Sequence, residues 1–153
     1  MKAQTITLAG LCALTLTGCS FTLGKKSRAV IASFPAEMCV AKTLLNIPSV
    51  SDVEITRREI AKVKILLPRR TDTRQNEDVA FRYGNHPFGV HTNITKGHEG
   101  KVEISGVASG QCPPTGLLET YDEMVEIVEP ALAKACFNNA QFERSSSRKC
   151  DTS

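Results

Sequence analysis

The residues with the most chemical potential are three histidines that fall close together, His86, His91 and His98. Three imidazoles can hold a zinc ion, but only if their ring nitrogens converge on a point about 2 Å from each. The intervening sequence forbids this. Gly84-Asn85-His86-Pro87 is a turn signal, Phe88 to Thr95 alternates apolar and polar residues, and Lys96 to Gly100 is a second turn. His86 and His98 therefore sit at opposite ends of a strand about 25 Å long. His91 is left alone on the polar face of that strand. A second group, Asp122, Glu123, Glu126 and Glu129, offers carboxylates for acid–base work. Their spacing describes the wet face of a helix and not a pair converging across a cleft.

No G-x-S-x-G, H-E-x-x-H, phosphate-loop or Rossmann glycine pattern occurs in the chain. Ser105-Gly106-Val107-Ala108-Ser109-Gly110 is rich in small residues but lacks the lysine of a phosphate site. Two basic groups, Arg57-Arg58 and Arg69-Arg70-Thr71-Asp72-Thr73-Arg74, flank a predicted strand and should lie at opposite ends of it. That placement argues against a single nucleic-acid groove. The sequence thus points to no metal, no cofactor and no catalytic constellation.

The N-terminus carries a different message. Lys2 precedes a short apolar run from Ile6 to Leu16. As a helix the run would rise only about 16 Å, too little for a hydrocarbon core of about 30 Å. A charged start, a short apolar centre and small residues after it match a secretory signal. Its end, Leu16-Thr17-Gly18-Cys19, resembles the lipobox of bacterial lipoproteins. The resemblance covers about twenty residues. It implies cleavage before Cys19, a diacylglycerol on the Cys19 sulfur and acylation, for example with palmitate, of the new amino group. Several acyl chains hold a protein firmly, since each buried methylene contributes about 0.8 kcal/mol. Ser20 follows the cysteine where an Asp would favour retention at the inner membrane, so the pattern resembles outer-membrane sorting.

Cysteine usage fits an oxidising compartment. Of six cysteines, Cys12 leaves with the signal and Cys19 takes lipid. Cys39, Cys112, Cys136 and Cys150 remain as disulfide candidates, and no C-x-x-C pair suggests zinc.

These features must sit on a chain of 153 residues that is 41% hydrophobic, 23% charged and net +3. The composition excludes low-complexity disorder, collagen and a polytopic membrane protein. Residues 1–18 read as signal peptide, 19–32 as lipidated N-terminus and tether, 33–137 as the folded domain and 138–153 as a polar tail. Ser33 to Ile47 reads as a helix, with Phe34, Met38, Ala41 and Leu45 on one stripe. Glu59 to Leu67 reads as a strand with Ala61, Val63, Ile65 and Leu67 inward and Lys62 and Lys64 outward. Arg69 to Asp78 reads as a loop. Val79 to Tyr83, Phe88 to Thr95 and Lys101 to Ala108 read as three further strands. Leu117 to Phe137 reads as a helix kinked or split at Pro130.

The expected fold is α+β, in the order α-β-β-β-β-α: a two-layer sandwich of a four-stranded antiparallel meander with two helices on one face. In such a meander the start of the first helix and the end of the second share an edge. Cys39 should therefore pair with Cys136, and Cys112 with Cys150. The uncovered polar face offers Lys62, Lys64, Arg82, His91, Asn93, Lys101 and Glu103 as a candidate binding face. The functional expectation is a non-enzymatic, periplasm-facing binding or assembly module of the outer membrane. Its partner would be an envelope protein or polymer and not nucleic acid. A small cell-wall hydrolase, or an inhibitor of an envelope hydrolase presenting the loop Cys112-Pro113-Pro114, is the alternative.

Overall fold

The structure, a computed structural model, describes residues 20–66, 69–109 and 115–146. The elements are β1 (Ser20–Ile31), α1 (Cys39–Leu45), β2 (Val50–Ile65), β3 (Arg70–Tyr83), β4 (His86–Thr95), β5 (Gly100–Ser109), α2 (Thr115–Cys136) and β6 (Glu143–Ser146). The class is α+β, but the sheet has six strands, in the order β2-β3-β4-β5-β1-β6. Every neighbouring pair is antiparallel. The expected meander is its β2-to-β5 portion. The two extra strands come from segments read as tether and tail, and β1 inserts between β5 and β6.

The core follows from alternation. Val79, Phe81 and Tyr83 of β3, Phe88 and Val90 of β4 and Val102 and Ile104 of β5 are buried on one face of the sheet. Leu117, Tyr121, Met124, Val125, Val128 and Leu132 of α2 and Val40, Ala41 and Leu44 of α1 complete a single apolar cluster with them. The Tyr121 hydroxyl donates to Ile104 O at 3.2 Å, so its buried polar end is satisfied. Gly100 lies where β5 crosses Ile31 and Ile94. A Cβ there would stand 2.7 Å from Asn93 O, 2.8 Å from Ile94 Cβ and 2.9 Å from Ile31 Cγ1.

Several local expectations are corrected. The first helix spans Cys39–Leu45 instead of Ser33 to Ile47. Pro35 and Met38, the latter left-handed at φ 61°, hold the preceding residues out of the helix. Its buried stripe is Val40, Ala41 and Leu44, while Met38 and Leu45 are exposed. The second helix runs through Pro130 without splitting; the ring sits on its exposed side. Residues 70–78 are strand, not loop. They form the first half of β3 and pair with β2 from Arg57–Asp78 to Ile65–Arg70.

The most consequential correction concerns the faces of β2. The β2–β3 register shifts between Ser51 and Glu54 and again between Ile55 and Arg57. Ile55 lies opposite the core residue Val79, but Arg57 lies opposite Asp78, on the far face. Beyond that point odd positions face away from the helices. Ala61 and Val63 therefore lie on the open face, and Lys62 and Lys64 lie opposite Thr73 and Thr71 on the helix-bearing side.

Cys39 and Cys136 form a disulfide, with Cα atoms 5.8 Å apart, between the start of α1 and the end of α2. Cys112 and Cys150 lie outside the described residues. The bridge closes a sequence separation of 97 residues, large enough for loop-closure entropy to contribute on the order of 4–5 kcal/mol. Replacing both cysteines with Ser is expected to lower unfolding free energy by about 2–5 kcal/mol in denaturant titrations. Gly100→Ala is expected to cost about 1–3 kcal/mol by the same measurement, because the contacts it meets are backbone and core atoms. An unchanged midpoint for Gly100→Ala would contradict the packing at this crossing.

Candidate functional site

Both helices pack on one side of the sheet, which leaves the other side open. Its central row crosses all six strands. Cross-strand neighbours run Arg57, Asp78, His91, Glu103, Arg28 and Glu143 from β2 to β6. With His91 protonated, the formal charges alternate along the row. Opposite charges directly across a sheet are mutually stabilising, so the row acts as a charge ladder over the open face.

The side chains are paired accordingly. His91 Nδ1 meets Asp78 Oδ1. Arg28 Nε donates to Glu103 Oε2 at 2.6 Å, and Lys26 Nζ lies 3.0 Å from the other Glu103 oxygen. Burial pushes the Glu103 carboxyl up, but the hydrogen bonds and charges of Lys26 and Arg28 outweigh it and hold the group below its ordinary 4.5. One row further on, Asn93 Nδ2 donates to Asn76 Oδ1. Arg82 donates to Asn85 O at 2.8 Å.

The candidate face therefore separates into two sets. Arg82, His91, Asn93, Lys101 and Glu103 share the open face, and four of them are engaged with neighbours there. Lys62 and Lys64 point to the other side. His86, His91 and His98 stay apart: His98 lies in the β4–β5 turn with Nε2 3.5 Å from Asp72, and His91 lies in mid-sheet. Among the described residues, no group of three or more His, Cys, Asp or Glu side chains is placed to hold a metal ion.

Of the α2 carboxylates, Asp122, Glu123 and Glu126 are exposed as their spacing suggests, but Glu129 is not. Glu129 is 7% exposed. It accepts from Ser27 Oγ of β1 and from Arg144 of β6, whose Nη2 lies 2.7 Å from Oε2. Asp122 pairs with Lys25, and Tyr83 donates to Glu123 at 3.3 Å. Three of these groups tie α2 to sheet residues that had been read as tether, strand and tail.

A second buried carboxylate lies on the helix-bearing face near the sheet's far end. Glu77 is 1% exposed, with Arg58 Nη1 2.8 Å from its Oε2. Its Oε1 and the hydroxyl of Thr92, the next residue across the sheet, are buried without a hydrogen-bond partner. Burial raises the Glu77 carboxyl above its ordinary 4.5, against the attraction of Arg58. Beside it an open cleft of about 680 Å³ is lined by Phe34, Thr73, Gln75, Ile94, Lys96 and His98, among others. The cleft is mixed in polarity, and its titratable groups are a lysine, a histidine and Glu99 at the rim.

The two basic groups of the sequence share one two-stranded arm, with Arg57 and Arg58 at one end, Arg69 and Arg70 at the tip and Arg74 between them. Because β2 begins at Val50, Arg57 and Arg58 fall in its middle, and β3 brings Arg70 and Arg74 back alongside Ile65 and Ala61. Residues 57–74 carry Arg57, Arg58, Lys62, Lys64, Arg69, Arg70 and Arg74 against Glu59 and Asp72. This arm holds a net +5 in a chain whose total is +3. Arg57 bonds Glu59, Arg58 bonds Glu77 and Arg70 bonds Asp72. Among the described residues, Lys62, Lys64, Arg69 and Arg74 have no ion-pair partner. The alternation of Ala61, Val63 and Ile65 with Lys62 and Lys64 marks one strand of the arm in the sequence; its partner, residues 70–78, is too polar to show one.

No family model matches the chain, and no curated protein or solved structure is significantly similar to it. Among the described residues no helix is long and apolar enough to cross a membrane.

The Glu77 environment gives a signed pH dependence. Because its folded value lies above 4.5, its stabilising contribution is complete below 4.5 and is lost as pH rises through the folded value. Denaturant midpoints taken from pH 4.5 upward should fall over that window in the native protein. Glu77→Gln should flatten that segment of the profile; a segment of unchanged slope would assign it to another group.

Proposed function

We propose that the chain is a membrane-anchored bacterial envelope lipoprotein whose α+β domain is a non-enzymatic binding or assembly module facing the periplasm. The observation that carries the reading is the run Leu16-Thr17-Gly18-Cys19 after a short apolar segment. β1 begins at Ser20, so a lipid on Cys19 would attach directly to the first strand with no spacer. The bilayer would then face the end of the sheet where β1 starts and β5 finishes. The β2–β3 arm and the β4–β5 turn would point away from it.

A binding role is supported by how the titratable groups are used. On the open face, Asp78, His91, Glu103, Arg28 and Lys26 are spent on one another across strands. Such a face is shaped for contact and not for proton transfer in a water-excluding pocket. The Cys39–Cys136 bridge fits an oxidising compartment. Ser20 in place of Asp supports the outer membrane as the destination.

The test is fractionation of cells expressing the full chain. The native protein is expected in the outer-membrane fraction, with a mature N-terminus at Cys19 carrying acyl mass. Cys19→Ser should abolish the acyl mass and release the protein from membranes. Ser20→Asp should move it to the inner membrane. A mature protein with an unmodified Cys19 would sink the proposal.

A further inference from the structure

We propose that the free rim of β2 from Arg57 to Ile65 is a docking edge for an extended acidic polypeptide segment, which adds to the sheet as a further strand. The inference names the partner chemistry of the binding module proposed above and rests on that reading.

The first ground is the backbone. β2 ends the strand order, so nothing among the described residues pairs with its outer side. After the second register shift it runs from Arg57 to Ile65 without interruption. At about 3.3 Å per residue this is roughly 30 Å of regular edge, with N–H and C=O groups directed outward at every second residue. Extended peptides add to such edges through main-chain hydrogen bonds, while alternate side chains set the specificity.

The second ground is charge. Lys62 and Lys64 stand on one face of the edge without ion-pair partners, and Arg69 and Arg74 lie on the same arm. An arm of net +5 repels a second copy of itself, which removes the commonest occupant of a free edge. It attracts carboxylates, chiefly by speeding encounter and fixing register. Residues 57–74 contain no aromatic side chain, so bases or sugar rings have no stacking platform there. An acidic peptide is favoured over a nucleic acid on that ground.

The third ground is the shape of the two faces. Ile60, 64% exposed, shares a face with Lys62 and Lys64, and Leu66, 79% exposed, follows at the tip. The opposite face presents Ala61 and Val63, both half-buried. A strand laid along this edge would alternate carboxylates, toward the lysines, with small aliphatic residues, toward Ala61 and Val63.

The experiment uses the full lipidated chain in detergent and a labelled, end-blocked peptide of four Glu-Val repeats, followed by fluorescence anisotropy. The Glu-Val peptide is expected to bind, more weakly as salt rises, and to slow amide exchange along Arg57–Lys64. A Lys-Val peptide should not bind. N-methylation of alternate amides in the Glu-Val peptide should weaken it by about tenfold or more, since main-chain bonds carry the affinity. The pair Lys62→Glu and Lys64→Glu should have a similar effect, while Lys134→Glu, exposed in the last turn of α2, should not. Equal binding of the N-methylated peptide, equal loss with Lys134→Glu, or tighter binding of a uronic-acid oligosaccharide would overturn the proposal. Failure of peptide binding with membrane anchoring intact overturns the edge alone. Loss of anchoring with peptide binding retained overturns the lipoprotein reading alone.

Discussion

Glu129 is the group on which the two ends of the chain converge. Ser27 reaches it from β1 and Arg144 reaches it from β6, while the carboxylate itself stands on α2. A buried carboxylate is costly unless paired and hydrogen-bonded, and here both conditions are met by strands that have little apolar surface of their own. β6 is four residues long and exposed over most of its length. Without Arg144 it would have only its ladder with β1 to hold it. Without Ser27 and Lys25, β1 would present no matching group to α2. The half of the sheet beyond β5 thus adds polar bonds to one helix to the apolar burial of Ala29 and Ile31, whereas the half from β2 to β5 depends mainly on apolar burial.

This division explains what could be read from residues alone. Val79, Phe81, Phe88, Val90, Val102 and Ile104 alternate with polar neighbours because one face is dry and the other wet. Their strands and their inward residues were legible for that reason. β1 was not, because of its inward positions Lys25, Ser27, Ala29 and Ile31 only the last is a large apolar residue, and the alternation of a strand is masked when its buried side chains are polar or small. The first half of β3 was not, because its residues are polar throughout, including the buried Asn76 and Glu77. The second helix survived Pro130, whose ring is carried on the exposed side, so the expected break did not occur.

The candidate face was legible in part, for a geometric reason. Arg82, His91, Asn93, Lys101 and Glu103 sit on strands of uninterrupted register. Lys62 and Lys64 sit beyond two shifts in register, of which the second, between Ile55 and Arg57, turns even positions back to the helix-bearing side. The first is marked locally by Asp52, which adopts a left-handed φ of 49°. Asp tolerates that conformation better than most residues, but its presence does not by itself announce a bulge. The early start of β2 at Val50 and the strand formed by residues 70–78 gather the two basic groups along one arm. The alternating row from Arg57 to Glu143 was also invisible in one dimension, since its six members come from six strands.

The position of β1 has a consequence for how the molecule is made. Arg28 meets Glu103 across 75 residues and Lys26 meets Ser145 across 119. The first strand in the chain is thus the last to find its place, because β5 and β6 arrive only after most of the chain. Pairing over such separations requires long loops to close first, which slows folding relative to a chain of local hairpins. Until then the flank of β5 stays open to any other strand, and so does β1. The charges of β1, Lys25, Lys26 and Arg28, suit that wait, because an apolar strand left unpaired for as long would invite aggregation.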